Sequence, residues 1–243
     1  MPHNIFTGRV AEGYDLGSPE MREPALLEAT ASFLADAADG GAALEFGIGT
    51  GRVALPLSEH GIEVHGIDIS EDMVAQLLAK PGSSSIGVTV GDFATTTVPR
   101  TFSLVYLVYN ALGNLTTQAE QVQCFRNAAR HLALDGRLVV EMWVPDLRRF
   151  PPGAVALPFD VSASHIGMDT IDVATQQGVS HHWFIVGDRT GQFESPYRYV
   201  WPAEMDLMAE LAGLTLRERW AHWDRSLFTN ESTNTISVWE RLK

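Results

Sequence analysis

Leu44-Glu45-Phe46-Gly47-Ile48-Gly49-Thr50-Gly51-Arg52 is the stretch from which the fold of this chain can be predicted. Its apolar start ends in an acid, three glycines follow at alternate positions, and an amphipathic segment begins behind them. Glycine adopts positive φ without steric cost and lets a backbone come close to a ligand. The order therefore predicts a buried strand, a tight turn and a helix N-terminus, which is where α/β proteins bind nucleotide-like ligands.

Strands and helices alternate around this turn. Apolar runs predict strands at 42–46, 63–68, 87–91, 102–108 and 137–143. Helical patterns predict helices at 24–38, 52–59, 71–80 and 117–131, whereas residues 1–24 and 132–136 are predicted to be loop and turn. Such alternation indicates a parallel sheet with right-handed crossovers.

The pattern changes after Val144. A proline-rich linker is followed by three predicted strands without helices between them, at 169–173, 178–186 and 192–200. Asp188-Arg189-Thr190-Gly191 is predicted to form the hairpin turn between the last two. A helix at 202–212 and strands at 214–223 and 235–241 complete the chain.

Composition and charge narrow the possible partners. The 243 residues are 45% apolar and 19% charged, which is typical of a globular protein with a full core. The net charge of −13 disfavours nucleic acid and anionic membrane surfaces. A single cysteine, Cys124, excludes an intrachain disulfide, and neither a leader-like segment nor a membrane-spanning run is visible. We therefore expect a cytoplasmic protein without nucleic-acid or membrane partners.

Three acids end the first three predicted strands of the sheet, namely Glu45, Asp68 and Asp92. Because parallel strands bring their carboxyl ends to one edge, these acids are expected to share one crevice. Asp68 follows the glycines by about twenty residues, the distance at which ribose-binding acids occur. Arg52 stands where a dinucleotide-binding motif needs its third glycine, which disfavours a nicotinamide cofactor.

An acid two residues before G-x-G-x-G resembles motif I of the class I S-adenosylmethionine-dependent methyltransferases. The resemblance covers 40–144 and extends to Arg198-Tyr199-Val200-Trp201-Pro202-Ala203-Glu204, which is similar to small-molecule members such as bacterial sugar-nucleotide N-methyltransferases. It implies a Rossmann-like α/β fold with a seven-stranded, mostly parallel sheet, helices on both faces and a small antiparallel β cap. It also implies one domain over 1–243, a cofactor-binding core at 40–144 and an insertion at 150–200 over the acceptor site.

The resemblance implies S-adenosylmethionine as the cofactor and a small molecule as the methyl acceptor. Asp68 would accept the ribose hydroxyls, Asp92 would meet the adenine amine, and Tyr14 resembles a tyrosine that covers the cofactor. The residues expected to bind the cofactor are Glu45, Gly47, Gly49, Gly51, Asp68, Ile69, Asp92, Phe93, Tyr109 and Tyr14.

Methyl transfer is an in-line displacement that depends mainly on positioning, and a base is needed for a hydroxyl but hardly for a neutral amine. The candidate catalytic residues are His181, His182 and Glu141, with Asp146 and His165 behind them. Adjacent histidines on a strand point to opposite faces, which argues against a metal site. The candidates for binding the acceptor are Asn110, Trp143, Trp183 and Arg198.

Three other functions stay open at this point. An NAD-dependent oxidoreductase would use the same glycine turn, and a non-catalytic S-adenosylmethionine-binding protein would need no base. A protein or nucleic-acid methyltransferase is disfavoured by the net charge and by Tyr109-Asn110-Ala111-Leu112, where some DNA methyltransferases have Asn/Asp-Pro-Pro-Tyr. The sequence leaves open the acceptor, the methylated atom and whether the chain forms a homodimer.

Overall fold

The computed structural model describes residues 4–17, 19–186 and 189–242. The helices are α1 (Arg9–Gly17), α2 (Pro24–Ala38), α3 (Ala54–Glu59), α4 (Glu71–Leu78), α5 (Gln118–His131) and α6 (Pro202–Leu211). The strands are β1 (Ala43–Phe46), β2 (Val64–Asp68), β3 (Gly87–Val90), β4 (Phe102–Leu107), β5 (Leu132–Trp143), β6 (Ala156–Val161), β7 (His165–Asp172), β8 (Gln177–Val186), β9 (Arg189–Arg198), β10 (Thr215–Trp220) and β11 (Asn234–Glu240). Within the described ranges, no helix is both long and apolar enough to cross a bilayer.

Seven strands form one sheet in the order β10-β11-β5-β4-β1-β2-β3. Strands β1 to β5 pair in parallel with one another, whereas β11 runs antiparallel to both β5 and β10. The predicted seven-stranded, mostly parallel sheet is thereby confirmed. The chain passes from β1 outward to β3 and then returns to β4 on the other side of β1. The carboxyl ends of β1 and β4 therefore lie at a topological switch point, where such sheets bind ligands.

Apolar side chains cover both faces of this sheet. On one face, Phe125 of α5 and Met205 of α6 belong to the same core cluster as Trp239 of β11. On the other face, Leu34 of α2 and Leu57 of α3 belong to a second cluster. Burial on both faces explains why the parallel strands are apolar almost throughout, and it confirms the predicted arrangement of helices on both sides.

The cap is a separate antiparallel sheet in the order β6-β7-β8-β9, inserted between β5 and α6. It has one strand more than predicted: β6, which contains Pro158, lies in the stretch between Val144 and residue 169 where the sequence predicts a proline-rich linker. Proline is tolerated there since β6 is an edge strand with a register shift between Pro158 and Asp160. Of the predicted hairpin turn, Asp188 lies outside the described residues and 189–191 belong to β9.

Two segments predicted to be irregular are regular. Residues 1–24 were expected to be loop, but α1 forms there and packs against α4, with the Gly8 amide donating to the Asp72 carboxylate at 2.7 Å. This contact is 64 residues distant in sequence, so local propensity cannot reveal it. The expected turn at 132–136 belongs to β5: Leu132 already pairs with Phe102, and the residues behind it form an irregularity before regular pairing resumes.

The glycine turn is packed tightly against α4. Gly51 has φ +74, and a Cβ at this position would lie 2.2 Å from Cδ1 of the buried Leu77. Gly61, at the end of α3, has a similar φ of +80, but a Cβ there would meet nothing within 4 Å. The two positions therefore share the conformational requirement and differ in packing alone.

We expect Gly51→Ala to lower the free energy of unfolding by about 1–3 kcal/mol more than Gly61→Ala, because only the former overpacks the core. Both variants bear the cost of about 1–2 kcal/mol for an alanine in the left-handed region. Urea unfolding of the two variants beside the unaltered protein measures the difference. Equal losses would show that Leu77 moves aside freely and would contradict this account of the turn.

Candidate active site

One cavity opens at the carboxyl ends of the central strands, at the switch point of the sheet. Its wall combines the glycine turn, the strand ends and part of the N-terminal segment. Nine of the ten residues predicted to bind the cofactor line it, namely Tyr14, Glu45, Gly47, Gly49, Asp68, Ile69, Asp92, Phe93 and Tyr109. Gly51 is the tenth, and it faces Leu77 instead.

Asp68 ties the glycine turn to the end of β2. The Gly49 amide donates to Oδ2 at 2.7 Å, and the Ser70 amide donates to Oδ1 at 2.8 Å. The residue is 8% exposed, and burial raises the pKa of its carboxyl while the two amide donors oppose the rise. A carboxylate has about four lone-pair positions. Asp68 can thus hold the turn and still accept hydrogen bonds from a ligand.

Glu45 is the most buried of the three cavity acids, only 2% exposed. The Tyr106 hydroxyl donates to its Oε2 at 2.9 Å. Burial raises the pKa of Glu45 to about 8, against the opposing effects of the Tyr106 hydrogen bond and the positive charge of Arg52. At neutral pH the carboxyl is therefore mostly protonated, and a positively charged ligand would favour its ionisation.

Asp92 and Phe93 lie on the loop after β3, and α5 fixes this loop. The side-chain amide of Asn127 donates to the carbonyl oxygens of Phe93 and Thr96, both at 2.8 Å. Phe93 also stacks on Phe46 of β1, with ring centroids 5.9 Å apart. Sequence reasoning missed Asn127, although a polar residue on the buried face of an amphipathic helix is a signal that could have singled it out.

The N-terminal segment is bound to the glycine turn by a small polar network. Asp15 accepts hydrogen bonds from the Thr50 hydroxyl at 2.7 Å and pairs with Lys80 at 2.6 Å. Burial raises the pKa of Asp15, but hydrogen bonds from Lys80 and Thr50 outweigh it and lower the pKa. Next to Asp15, Tyr14 lines the cavity and meets Phe6 edge to face, with centroids 5.8 Å apart. The sequence pointed to Tyr14 but not to Phe6.

Tyr109 and Asn110 form a strained turn at the end of β4. Both have positive φ, 51° and 59°, a conformation that costs a non-glycine residue on the order of 1 kcal/mol or more. The Tyr109 amide donates to Oε2 of Glu141 at 2.7 Å, and the Trp223 indole donates to Oε1 at 3.1 Å. The Trp143 amide donates to the Asn110 side chain at 2.5 Å. The neighbouring strand thus holds the turn in place.

Glu141, a candidate base from the sequence, accordingly lies behind Tyr109 and outside the described lining of the cavity. Burial raises the pKa of its carboxyl, opposed by the Tyr109 amide. Asn110 and Trp143, candidates for the acceptor, do not belong to this lining either. They adjoin it through Tyr109, whose ring meets that of the exposed Trp143 edge to face at 6.1 Å.

His181 and His182 of β8 take part in separate networks on the cap. His181 lies 3.0 Å from the Thr170 hydroxyl and 3.1 Å from Glu194, and its ring stacks on Trp183 at 5.9 Å. All of these residues belong to the cap and none to the described lining of the cavity.

His182 forms a chain of hydrogen-bonding groups with two other cap residues. Its Nδ1 lies 2.9 Å from Nε2 of His165, whose Nδ1 lies 2.5 Å from the Asp160 carboxylate. Burial lowers the pKa of His182, and the neighbouring His165 adds to the effect. The structure thus brings together two histidines that the sequence named separately, and neither belongs to the described cavity lining.

Arg198, also a candidate for the acceptor, is buried at the base of the cap with 4% of its surface exposed. Its guanidinium donates to Gln121 at 2.5 Å and to Glu204 at 2.7 Å. The amide of Gln121 donates in turn to the carbonyl oxygen of Leu115, a residue of the cavity wall, at 3.1 Å. Arg198 therefore connects the cap to the cavity wall through hydrogen bonds within the protein, by way of Gln121.

A mostly parallel seven-stranded sheet, a cavity at its switch point and acids at three strand ends behind a glycine turn define a Rossmann-like α/β protein that binds a nucleotide-like ligand. The family described as "Methyltransferase domain" matches residues 43–136. The CcbJ methyltransferase from Streptomyces caelestis is 32% identical, with a TM-score of 0.87 over 96% of each chain. The chain belongs to the class I S-adenosylmethionine-dependent methyltransferases.

Other relatives agree with this family. The chain is 28% identical over 200 residues to dTDP-3-amino-3,6-dideoxy-alpha-D-glucopyranose N,N-dimethyltransferase of Streptomyces fradiae, covering 78% of this chain and 76% of the relative. CalS10 of Micromonospora echinaspora, an amino pentose methyltransferase solved with S-adenosylmethionine, shares the fold with a TM-score of 0.69 at 21% identity, over 98% of this chain and 99% of that one. The protein is thus a methyltransferase that uses S-adenosylmethionine, and the oxidoreductase and non-catalytic alternatives are not favoured.

The residues of the cavity fit S-adenosylmethionine. This ligand carries a positive sulfonium and a positive ammonium group, and Glu45, Asp68 and Asp92 offer carboxylates at three neighbouring strand ends. Burial raises the pKa of Glu45, and a positively charged ligand bound beside it would favour ionisation of this carboxyl. Gly49, with φ +54, presents bare backbone beside Asp68, which allows a close approach of the ligand.

We expect Asp68→Asn to weaken binding of S-adenosylhomocysteine about 10- to 100-fold, because hydrogen bonds to a charged group contribute about 1.5–3 kcal/mol. The substitution keeps the side-chain volume, removes the charge and opposes one backbone amide with an NH₂ group. Titration calorimetry measures the affinity. Glu71→Gln, an exposed acid in the first turn of α4, is the matched control and should keep the affinity. Unchanged binding in Asp68→Asn would contradict its assignment to the site.

The raised pKa of Glu45 predicts proton release when the cofactor binds. In the free protein the carboxyl is protonated below about pH 8, and the ligand ammonium favours the ionised form. Affinity should therefore rise with pH up to about 8 and level off above it. Calorimetry near neutral pH in two buffers of different ionisation enthalpy counts the protons. Glu45→Gln should abolish the release, and identical heats for the unaltered protein in both buffers would disprove it.

Proposed function

We propose that this enzyme methylates an amino group of a small, sugar-like acceptor. The observation that carries the proposal is the likeness to the Streptomyces fradiae relative, whose name describes N,N-dimethyl transfer to a dTDP-bound amino sugar. The likeness covers 78% of a chain of 243 residues, so it must run through the middle of the chain and include most of the cap. The likeness therefore extends beyond the cofactor-binding half of the chain, which is the half that methyltransferases acting on different acceptors have in common.

The hydrogen bonds that Glu141 and Asp68 already accept within the protein support an amine rather than a hydroxyl as the methyl acceptor. A neutral amine attacks through its lone pair and hardly needs a base. Both oxygens of Glu141 accept N–H groups, from Tyr109 and Trp223. Both oxygens of Asp68 also accept backbone amides. These carboxylates are thus arranged to hold backbone and ligand in position, which is the main requirement of an in-line displacement.

S-adenosylmethionine, when bound, supplies an electrophilic methyl group on a sulfonium. In this proposal Asp68 accepts hydrogen bonds from the ribose hydroxyls, Asp92 contacts the adenine amine, and Glu45 faces the ammonium group. Gly47 and Gly49 let the backbone come close to the ligand. The other proposed cofactor contacts are Tyr14, Ile69, Phe93 and Tyr109, whereas Gly51 shapes the turn.

We place the acceptor beside Tyr109, between the cofactor cavity and the cap. Tyr109 lies in the cavity lining, and Trp143 next to it offers an exposed aromatic face. Of the sequence candidates, Glu141 acts in this proposal as a positioning residue for Tyr109, and Arg198 as a support for the cavity wall. His181, His182 and Trp183 remain candidates for contacts with the distal part of the acceptor.

The proposal predicts a preference for nitrogen in paired acceptors. The purified enzyme with S-adenosylmethionine should methylate a nucleoside-diphosphate amino hexose and leave the matching hydroxy hexose unchanged, because a neutral amine is nucleophilic enough to displace the methyl group without a base, whereas a hydroxyl needs a base to remove its proton. Mass spectrometry and NMR of the products locate the methyl groups, and reactions without the enzyme serve as the inactive control.

A free amino sugar beside its nucleotide-linked form shows whether the nucleotide contributes to recognition. Methylation of a hydroxyl, with the amine left unchanged, would overturn the proposal for nitrogen while leaving the cofactor assignments intact.

A further inference from the structure

The cap sheet turns one of its two faces toward the cavity wall. At the base of the cap, the Cβ of Tyr197 lies 3.9 Å from the position that a Cβ on Gly113 would take, and the next residue, Asn114, lines the cavity. Side chains alternate along a strand, so the residues on the same side as Tyr197 form what we call the inner face of the cap. The inner face includes Phe159, Asp169, Ser180, His182, Phe184 and Tyr197.

Asp169 of β7 is a half-buried acid of the inner face. It is paired directly with Ser180 of β8, whose hydroxyl donates to Oδ1 at 2.6 Å. In the part of the chain that the structure describes, no other group donates to this carboxylate, which has about four lone-pair positions. Burial raises the pKa of the carboxyl, and the Ser180 hydroxyl and the positive charge of Arg149 oppose the rise. Asp169 can therefore accept further hydrogen bonds from a ligand.

Tyr197 of β9 extends across β8 on the same face. Its partner in the ladder is Gly178, and a Cβ there would lie 2.3 Å from Cζ and 2.6 Å from the hydroxyl oxygen of Tyr197. The absence of a side chain at Gly178 thus makes room for the ring. Burial raises the pKa of the Tyr197 hydroxyl, and the negative charge of Asp169 adds to the rise. Over the described ranges this half-buried hydroxyl has no hydrogen-bond partner, so it is available to a ligand.

Exposed aromatic rings adjoin these polar groups farther along the inner face. Phe159 and Phe184 are 40% and 41% exposed, and their ring centroids lie 5.4 Å and 6.0 Å from that of His182. A hydroxylated ring matches this surface, because its O–H groups can donate to Asp169 while its C–H faces contact the aromatic rings. A phosphate group does not match it, because the carboxylate would repel a second anion.

We propose that the inner face of the cap binds the hydroxyl groups of a hydroxylated ring in the methyl acceptor, with Asp169 accepting hydrogen bonds from them and the Tyr197 hydroxyl as a second partner. The inference rests on the proposed function in one respect, the position of the acceptor between the cavity and the cap. It does not depend on which acceptor atom is methylated. Among the cap candidates it favours His182, since His181 and Trp183 belong to the opposite face.

The test compares two amines on six-membered rings, a free amino hexose and cyclohexylamine, which differ mainly in their hydroxyl groups. Ligand-observed NMR titration measures their dissociation constants for the complex of the enzyme with S-adenosylhomocysteine. We expect Asp169→Asn to weaken the amino hexose about 10- to 100-fold, the range for a lost hydrogen bond to a charged group. Cyclohexylamine should change less than about threefold, so that the ratio of the two affinities collapses.

Two further variants keep the test independent of folding. Tyr197→Phe removes a hydroxyl that no described residue binds and should weaken the amino hexose about 2- to 10-fold, the range for a neutral hydrogen bond. Glu194→Gln is the matched control: this acid of β9 is 66% exposed and pairs with His181 on the opposite face. It should leave both affinities unchanged. Unchanged affinity for S-adenosylhomocysteine shows that each variant keeps its cofactor half folded.

Three results would overturn the proposal. They are equal affinity of the unaltered protein for both amines, no binding of the amino hexose, and an equal loss of both amines in Asp169→Asn. A loss in Glu194→Gln with none in Asp169→Asn would also overturn it, by assigning recognition to the opposite face. Methylation of a hydroxyl, or no methylation of a bound amino hexose, would overturn the proposed N-methylation and leave this inference standing.

Discussion

The hydrogen bond from the Gly49 amide to the Asp68 carboxylate is the contact on which the site depends. It joins the turn after β1 to the end of β2, so two parts of the cavity wall, the glycine turn and Asp68, are fixed relative to each other by one bond. A carboxylate this deeply buried is costly unless N–H groups compensate it, and here two backbone amides do so. The fold therefore stabilises the acid and the acid stabilises the turn. Correct pairing of the strands therefore also places the glycine turn and Asp68 next to each other.

The parts of the site that the sequence predicted are those that depend on local patterns. Glu45, Asp68 and Asp92 could be placed together because each ends an apolar run and parallel strands share one edge. The parts that it did not predict depend on distant partners: Trp223 donates to Glu141 across 82 residues, and Arg198 donates to Gln121 across 77. In the sequence, Glu141 at a strand end resembles a catalytic base, whereas the structure shows that both of its oxygens accept hydrogen bonds. Likewise, an arginine beside aromatic residues resembles a ligand contact until its burial is known.

The two halves of the molecule are held by different kinds of contact. Backbone hydrogen bonds of the parallel sheet position the strand ends that line the cavity, and the strained turn at Tyr109 is held by the neighbouring strand β5. The cap is attached through a side-chain cluster around Arg198, Gln121 and Glu204. Side-chain contacts tolerate substitution around a fixed backbone better than a sheet register does. This difference suits a family of enzymes that share one methyl donor and differ in the acceptor that they methylate.

The position of β11 has a consequence for how the protein is made. Residues 234–240 fill the gap between β5 and β10, so both of those strands expose an unpaired edge on the ribosome until this late segment has emerged. Trp223, which fixes Glu141 and through it the strained turn at Tyr109, is also a late residue. The glycine turn, Asp68 and Asp92 all precede residue 100 and can assemble earlier. During synthesis the glycine turn and Asp68 can therefore come together before the turn at Tyr109, on the other side of the cavity, is fixed.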